Sequence, residues 1–148
     1  MNTTRGATTG GLNAAHPAVR AYAQRNGIEA TAFREDGRIT LTIDDRYRVQ
    51  LRPAADGRLA LSSLLLDLGQ LAAPRVDATL QRLAVWAAGM LRDHASALAL
   101  DEAAQALLLQ QELAAGTDVA ALESELADFV NALAFWVRTC ARETASVA

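Results

Sequence analysis

The chain contains no lysine; all fourteen of its basic residues are arginine. That absence excludes several chemistries at once. A P-loop needs a phosphate-binding lysine, a protein kinase needs its strand lysine, and Schiff-base or pyridoxal phosphate mechanisms need a lysine amine. Cysteine is nearly absent too. Cys140 stands alone, so no intrachain disulfide forms, which fits a reducing compartment. Aromatic residues number seven in 148, although about half the chain is apolar, so leucine and alanine must fill the core, a composition that favours helices. The longest apolar run, Leu83 to Leu91, is far short of the roughly 20 residues a membrane span requires. The start, Met1 to Asn13, is Thr/Gly-rich without an apolar stretch, so a secretory signal peptide is not expected and the expected compartment is the cytoplasm. A formal net charge of −3 supplies no electrostatic footprint for nucleic acid.

Catalytic motifs are missing as well. There is no Gly-x-Ser-x-Gly, no Gly-rich phosphate loop and no HExxH. His16, His94 and Cys140 fall on three separate elements with no ligand spacing, so no metal and no cofactor is expected. Glu35-Asp36, Asp44-Asp45 and Asp101-Glu102 are adjacent carboxylates of the kind that form turns. A glycosidase-type pair would have to face a cleft at a set separation, and a small hydrolase built on these carboxylates is the competing reading from another class. The expectation is a protein that acts by binding, not an enzyme.

What the chain does contain is alternating and helical periodicity in a clear order. At this length one domain is expected, with residues 1–11, small, polar and glycine-rich, forming a disordered segment and residues 12–148 a single α+β domain. Leu12, Ala15, Val19, Tyr22 and Ala23 recur at helical spacing, with Pro17 suited to a first turn and Gly27 to a helix end. Ile39, Leu41 and Ile43 alternate, Asp44-Asp45 turns the chain, and Tyr47, Val49 and Leu51 alternate again. The outer face of that second strand carries Arg46, Arg48, Gln50 and Arg52, either a solvated face or a contact for acidic partner residues. Pro53 and Asp56-Gly57 lead into a third strand over 58–66, and a short strand over 29–33 precedes the meander. A long helix follows from about Pro74 to His94, then two strands, 97–100 and 106–113, joined through Asp101-Glu102. Thr117 or Asp118 caps a last helix whose stripe is Leu122, Leu126, Phe129, Leu133, Trp136 and Cys140, with Phe135 lying off it. The predicted fold is α+β: an antiparallel sheet of about five strands with three helices, in the order α-β-β-β-α-β-β-α.

The long helix carries two apolar stripes, Val76, Leu80, Ala84, Ala87 and Leu91 on one line and Leu83, Trp86 and Met90 on another. Covering one sheet needs only one stripe. The second is covered either by another subunit, which makes Leu83, Trp86 and Met90 a candidate homodimer seam, or by the first or last helix of the same chain. Leu64 and Leu66 fall on the strand face opposite Leu59 and Leu61, so one of these faces leaves the main core. Val19, Tyr22, Leu64 and Leu66 are accordingly candidates for a partner-binding groove, with ordinary core as the alternative.

This order over residues 12 to 142 resembles the class I type III secretion chaperones, the Tir-chaperone-like family. The resemblance is carried by the paired strands Ile39–Leu51, the segment Arg58–Leu68 with Gly69, the helix ending in Leu91, the hairpin Ala97–Leu113 with its Asp101 turn and Leu107-Leu108-Leu109, and the final helix with Phe129 and Trp136. The family has no rigid signature motif, and this chain departs from it in its longer Thr/Gly-rich start and lack of lysine. The resemblance implies a homodimer formed mainly through the second helix. It also implies apolar patches that hold the non-globular N-terminal chaperone-binding segment of one or more secreted effectors, keeping it soluble and export-competent, with the secretion-system export apparatus as a further candidate partner. A dimeric regulatory or scaffolding protein of the same fold, binding a folded partner, is the alternative.

Overall fold

The computed structural model describes residues 6–90 and 93–146. In chain order the elements are α1 (Gly6–Ala14), α2 (Pro17–Arg25), β1 (Ile39–Ile43), β2 (Tyr47–Pro53), β3 (Leu59–Asp67), α3 (Ala73–Met90), β4 (Ala97–Asp101), β5 (Ala106–Leu113) and α4 (Val119–Ser146). The strands form one five-stranded sheet in the order β1-β2-β3-β5-β4. The α+β class, the five strands and their order along the chain are those expected from the alternation. The chain groups into two compact units, Met1–Leu61 with Glu112–Asp128, and Ser62–Gln111 with Phe129–Ala148. Both are discontinuous in sequence, and β3, β5 and α4 each contribute residues to both; the chain length led to the expectation of a single domain over 12–148.

The first unit opens with a correction. Residues through 11 were expected to be disordered, yet Gly6–Ala14 is helical; residues 1–5 lie outside the described residues. A single first helix was expected, and two are found. The break falls at His16, whose backbone is extended (φ −59°, ψ 140°) because the ring of Pro17 clashes with a helical conformation in the residue before it. His16 then caps α2: its Nδ1 accepts from the Ala18 N–H at 3.1 Å. At the other end the Ile28 N–H reaches back to the Ala23 carbonyl at 2.9 Å, with Gly27 in the left-handed region (φ 65°), the glycine-dependent stop foreseen for this position. The segment 29–33 holds one turn of 3₁₀ helix, Ala30–Ala32, instead of a strand.

β1 and β2 pair antiparallel in the register Ile39↔Leu51, Leu41↔Val49, Ile43↔Tyr47. Period-two alternation puts Val49 and Leu51 fully inside and leaves Arg46, Arg48 and Arg52 exposed. Three residues, Asp44 to Arg46, connect the paired ends; Asp44 and Asp45 both take positive φ (54° and 52°), and the Arg46 N–H donates to the Ile43 carbonyl at 3.1 Å. Gly37 (φ +84°) packs so close to the Ala14 and Ala15 backbone that any added Cβ would lie about 2.5 Å from it. The first half of α4 closes this unit with buried Leu122 and Leu126. Asp118 is its cap, its Oδ1 accepting from the Ala121 N–H at 2.8 Å.

In the second unit β4 and β5 pair antiparallel in the register Ala97↔Gln110, Ala99↔Leu108, Asp101↔Ala106. The expected turn forms through the Asp101 side chain, which accepts from the Ala104 N–H at 3.1 Å, with Gln105 at φ 51°. The second half of α4 buries Phe129, Leu133, Trp136 and Cys140, the continuation of the stripe read from the sequence.

Candidate functional site

α3 carries the site, and its burial is not distributed as its two apolar stripes suggest. Its buried residues are Thr79 and Leu83, one helical turn apart. Val76, Leu80 and Ala87 are half-buried and Ala84 is exposed, so the stripe expected to face the core is only partly covered. The helix was expected to reach His94; it is described to Met90, and Leu91 lies outside the described residues. Leu83, assigned from the sequence to a possible seam, is 1% exposed within its own chain and cannot present itself to a partner. Thr79 is not counted in a hydrophobic pattern, yet it is buried together with Leu83, so the inward line of α3 runs through these two residues and not through either stripe.

Val85 is 76% and Trp86 40% exposed. α3 residues Val85, Trp86 and Met90, with His94 beyond the helix, form one wall of a groove of about 650 Å³, and Ala132 and Phe135 of α4 form the other. The walls are almost wholly apolar. Trp86 is held in place from several directions. Its Nε1–H donates to Glu143 Oε1 at 3.3 Å, its ring meets that of Phe135 edge to face at 6.0 Å and 67°, and the Arg142 guanidinium lies 5.3 Å from its centroid. Glu143 is buried. Its other oxygen accepts from Arg82 at 3.2 Å, and Arg142 stands at 3.9 Å. Phe135 in turn meets Trp136 at 5.4 Å and 81°, which ties the groove to the core of the unit. Such aromatic pairs add about 0.5–1.5 kcal/mol beyond their area.

On another side of α3, Leu80, Leu83 and Ala87 line a smaller apolar recess of about 230 Å³ with Leu98, Leu100 and Leu107 of the β4–β5 hairpin. Leu100 is largely exposed there, on a strand that forms one edge of the sheet.

The remaining candidates separate by burial. Leu64 is 58% exposed and Leu66 half-buried, on the β3 face opposite buried Leu59 and Leu61. Val19 is 2% exposed, so it belongs to the core of the first unit and not to a groove. Tyr22, one helical turn on, is half-buried; burial first, and then the negative charge of Glu123, pushes its hydroxyl above its ordinary pKa. Sequence periodicity does not single out Val85 or Ala132. Phe135 could have been found, since it lies off the α4 stripe.

The carboxylate pairs sit exposed at turns. Asp36 accepts from the Arg38 N–H at 3.1 Å; that bond first, with the Arg38 and Arg34 charges adding to it, holds its carboxyl below the usual range. Among the described residues, no group of three His, Cys, Asp or Glu could hold a metal ion. Cys140 is buried, and desolvation pushes its thiol up to about 11. No described helix is long and apolar enough to cross a membrane.

Comparison with known proteins gives a consistent result. A chain of the HopA1–SchA chaperone–effector complex is similar at 21% identity and a TM-score of 0.61, over 80% of this chain and 88% of that one. A chain of the ExsC–ExsE complex is similar at 21% identity and 0.62, over 88% and 93%. A chain of the Yersinia pestis type III secretion chaperone SycH, in complex with a stable fragment of YscM2, is similar at 22% and 0.54, over 82% and 98%. At these identities the likeness is one of fold. No curated protein sequence matches the chain significantly. The sequence model of the Tir chaperone protein (CesT) family matches residues 18–137, from the first turn of α2 to the second half of α4, and the chain belongs to that family.

Proposed function

We propose that this protein is a cytoplasmic type III secretion chaperone and not an enzyme. It binds the N-terminal chaperone-binding segment of one or more secreted effectors, keeps that segment extended and soluble, and presents it to the export apparatus. Membership of the Tir chaperone family across residues 18–137 carries this reading, and the exposed apolar side chains of the second unit support it. Such surfaces suit a disordered partner, which binds by placing side chains in pockets and pairing its backbone with a sheet edge. The driving force is apolar burial, roughly 25 cal/mol per Å² before ordering costs are subtracted. It requires no nucleotide and no metal.

Within this proposal, Leu64 and Leu66 of β3 contact the effector, as does the half-buried Tyr22 of α2. Trp86 and Met90 of α3, joined by Val85, form the homodimer seam over buried Leu83. Purification from the native host under mild conditions tests the proposal, with native mass and the identity of co-eluting proteins read in one run. A dimer carrying a secreted effector through its non-globular N-terminal segment is the expected result. A clean particle without effector, from cells making secretion substrates, would instead favour a regulatory or scaffolding protein that binds a folded partner.

A further inference from the structure

We infer that Glu143 is a positioning residue for self-association: it fixes Trp86 as a preorganised anchor on the α3 seam. The inference rests on the proposed role of that seam. Tryptophan side chains dominate association energetics when they are rigid and centrally placed. An exposed tryptophan on a helix ordinarily samples several rotamers and must lose that freedom on binding. Here the freedom is already lost. Glu143 is a buried carboxylate on the last turns of α4, a position where a partly exposed helix surface gives no reason to bury a charge. One of its oxygens takes the Trp86 indole N–H at 3.3 Å and the other takes Arg82 at 3.2 Å. Arg142, its chain neighbour, stands 5.3 Å from the indole centroid, and Phe135 meets the ring edge. The indole is therefore held at its nitrogen by hydrogen bonding and against its ring by an aromatic edge and a cation, while 40% of the residue remains open to solvent. A buried hydrogen-bonded charge directed at a half-exposed aromatic ring costs desolvation, which the Arg82 and Arg142 charges offset. What the arrangement adds is a fixed ring orientation at the mouth of the groove.

Fixing one such side chain in advance strengthens association by roughly three- to tenfold. The test uses the full chain. Sedimentation equilibrium gives the dimer dissociation constant, and fluorine NMR of chain labelled with fluorotryptophan resolves Trp86 from Trp136, the buried one reporting that the fold is intact. Glu143→Ala is expected to weaken the dimer by roughly tenfold and to move the Trp86 resonance toward its position in unfolded chain, with Trp136 unmoved. Glu143→Gln keeps an oxygen acceptor for the indole and should restore both. An alanine variant that shifts neither quantity would overturn the inference, as would a glutamine variant that fails as completely as alanine. Should the alanine variant not fold, Trp86→Phe keeps a ring and deletes the N–H donor. Wild-type affinity in that variant also overturns the inference. Trp86→Ala separates the two layers. If it leaves the native mass unchanged, the seam itself is wrong, while the Trp86 resonance in the Glu143 variants still decides whether Glu143 holds the ring.

Discussion

Leu83 and Trp86 lie three residues apart on α3, yet Leu83 is 1% exposed and Trp86 40%. The pair marks where the helix passes from core to surface, and it divides mutational effects in the same way. Leu83→Ala removes a fully buried side chain and leaves a cavity beside an existing recess. It should lower unfolding free energy by about 2–5 kcal/mol, seen as a fall in the denaturant midpoint at unchanged slope.

Val85→Glu should do the reverse. Val85 is the most exposed of the large apolar residues among those described, so a carboxylate there meets water in the isolated chain and should change stability by no more than about 0.5 kcal/mol. In a seam it would be buried without a partner, which is costly. Sedimentation equilibrium should show monomer where the parent is dimer, with the helical circular dichroism of the parent.

Leu64→Arg should leave the thermal midpoint within a few degrees of the parent, because the side chain already projects into solvent. Affinity for an effector's N-terminal segment should fall by roughly five- to thirtyfold, the equivalent of the ~1–2 kcal/mol lost with one well-covered leucine. Titration of a fluorescent segment measures it. Unchanged affinity would remove this strand face from the proposed effector site.

How far the sequence discloses these positions depends on the kind of periodicity. A strand has period two, so one buried face fixes the alternation, and Ile39–Ile43 against Tyr47–Pro53 can be read directly, as can β5. The stripe on α4 is equally plain because its positions, from Leu122 to Cys140, are all buried. α3 is different. With apolar residues around most of its circumference, the pattern defines two directions without saying which is inward, and the inward line runs through a threonine that no hydrophobic pattern counts. α1 is hidden for another reason: with three Gly, two Thr and one Asn among its nine residues it has poor intrinsic helix propensity despite its alanines, and tertiary context has to make it helical. The groove joins α3 to Phe135, more than forty residues later, a juxtaposition that no local pattern encodes.

Thr79 offers a test of that account. It is fully buried, and its Oγ1 finds no hydrogen-bond partner among the described residues. A buried hydroxyl without a partner costs about 1–3 kcal/mol relative to a satisfied one. Thr79→Val replaces it with a methyl group of the same shape, so the variant should be as stable as the parent or more stable, by up to about 1 kcal/mol. A clear loss of stability in urea would mean that the hydroxyl is satisfied in solution.

Burial of Cys140 gives the protein a defined alkaline response. The folded thiol titrates at about 11, whereas in unfolded chain it titrates near about 8.5. Between these values the unfolded state binds fewer protons than the folded one, so stability falls as pH rises through that window and is unaffected below it. Urea midpoints followed from about pH 8 to about pH 11 should decline more steeply in the parent than in Cys140→Ser. The same burial should make the native thiol slow toward alkylating reagents at neutral pH.

The division of the chain has a consequence for its synthesis. The first unit draws on α4 as far as Asp128 and the second on the rest of that helix, so neither can close while α4 is still inside the ribosome. Until α4 emerges, then, the growing polypeptide exposes the strands and α3 without their final cover. The two halves of one helix complete the two units in turn. Folding therefore waits for α4, and a stalled or truncated chain lacking that helix could complete neither unit.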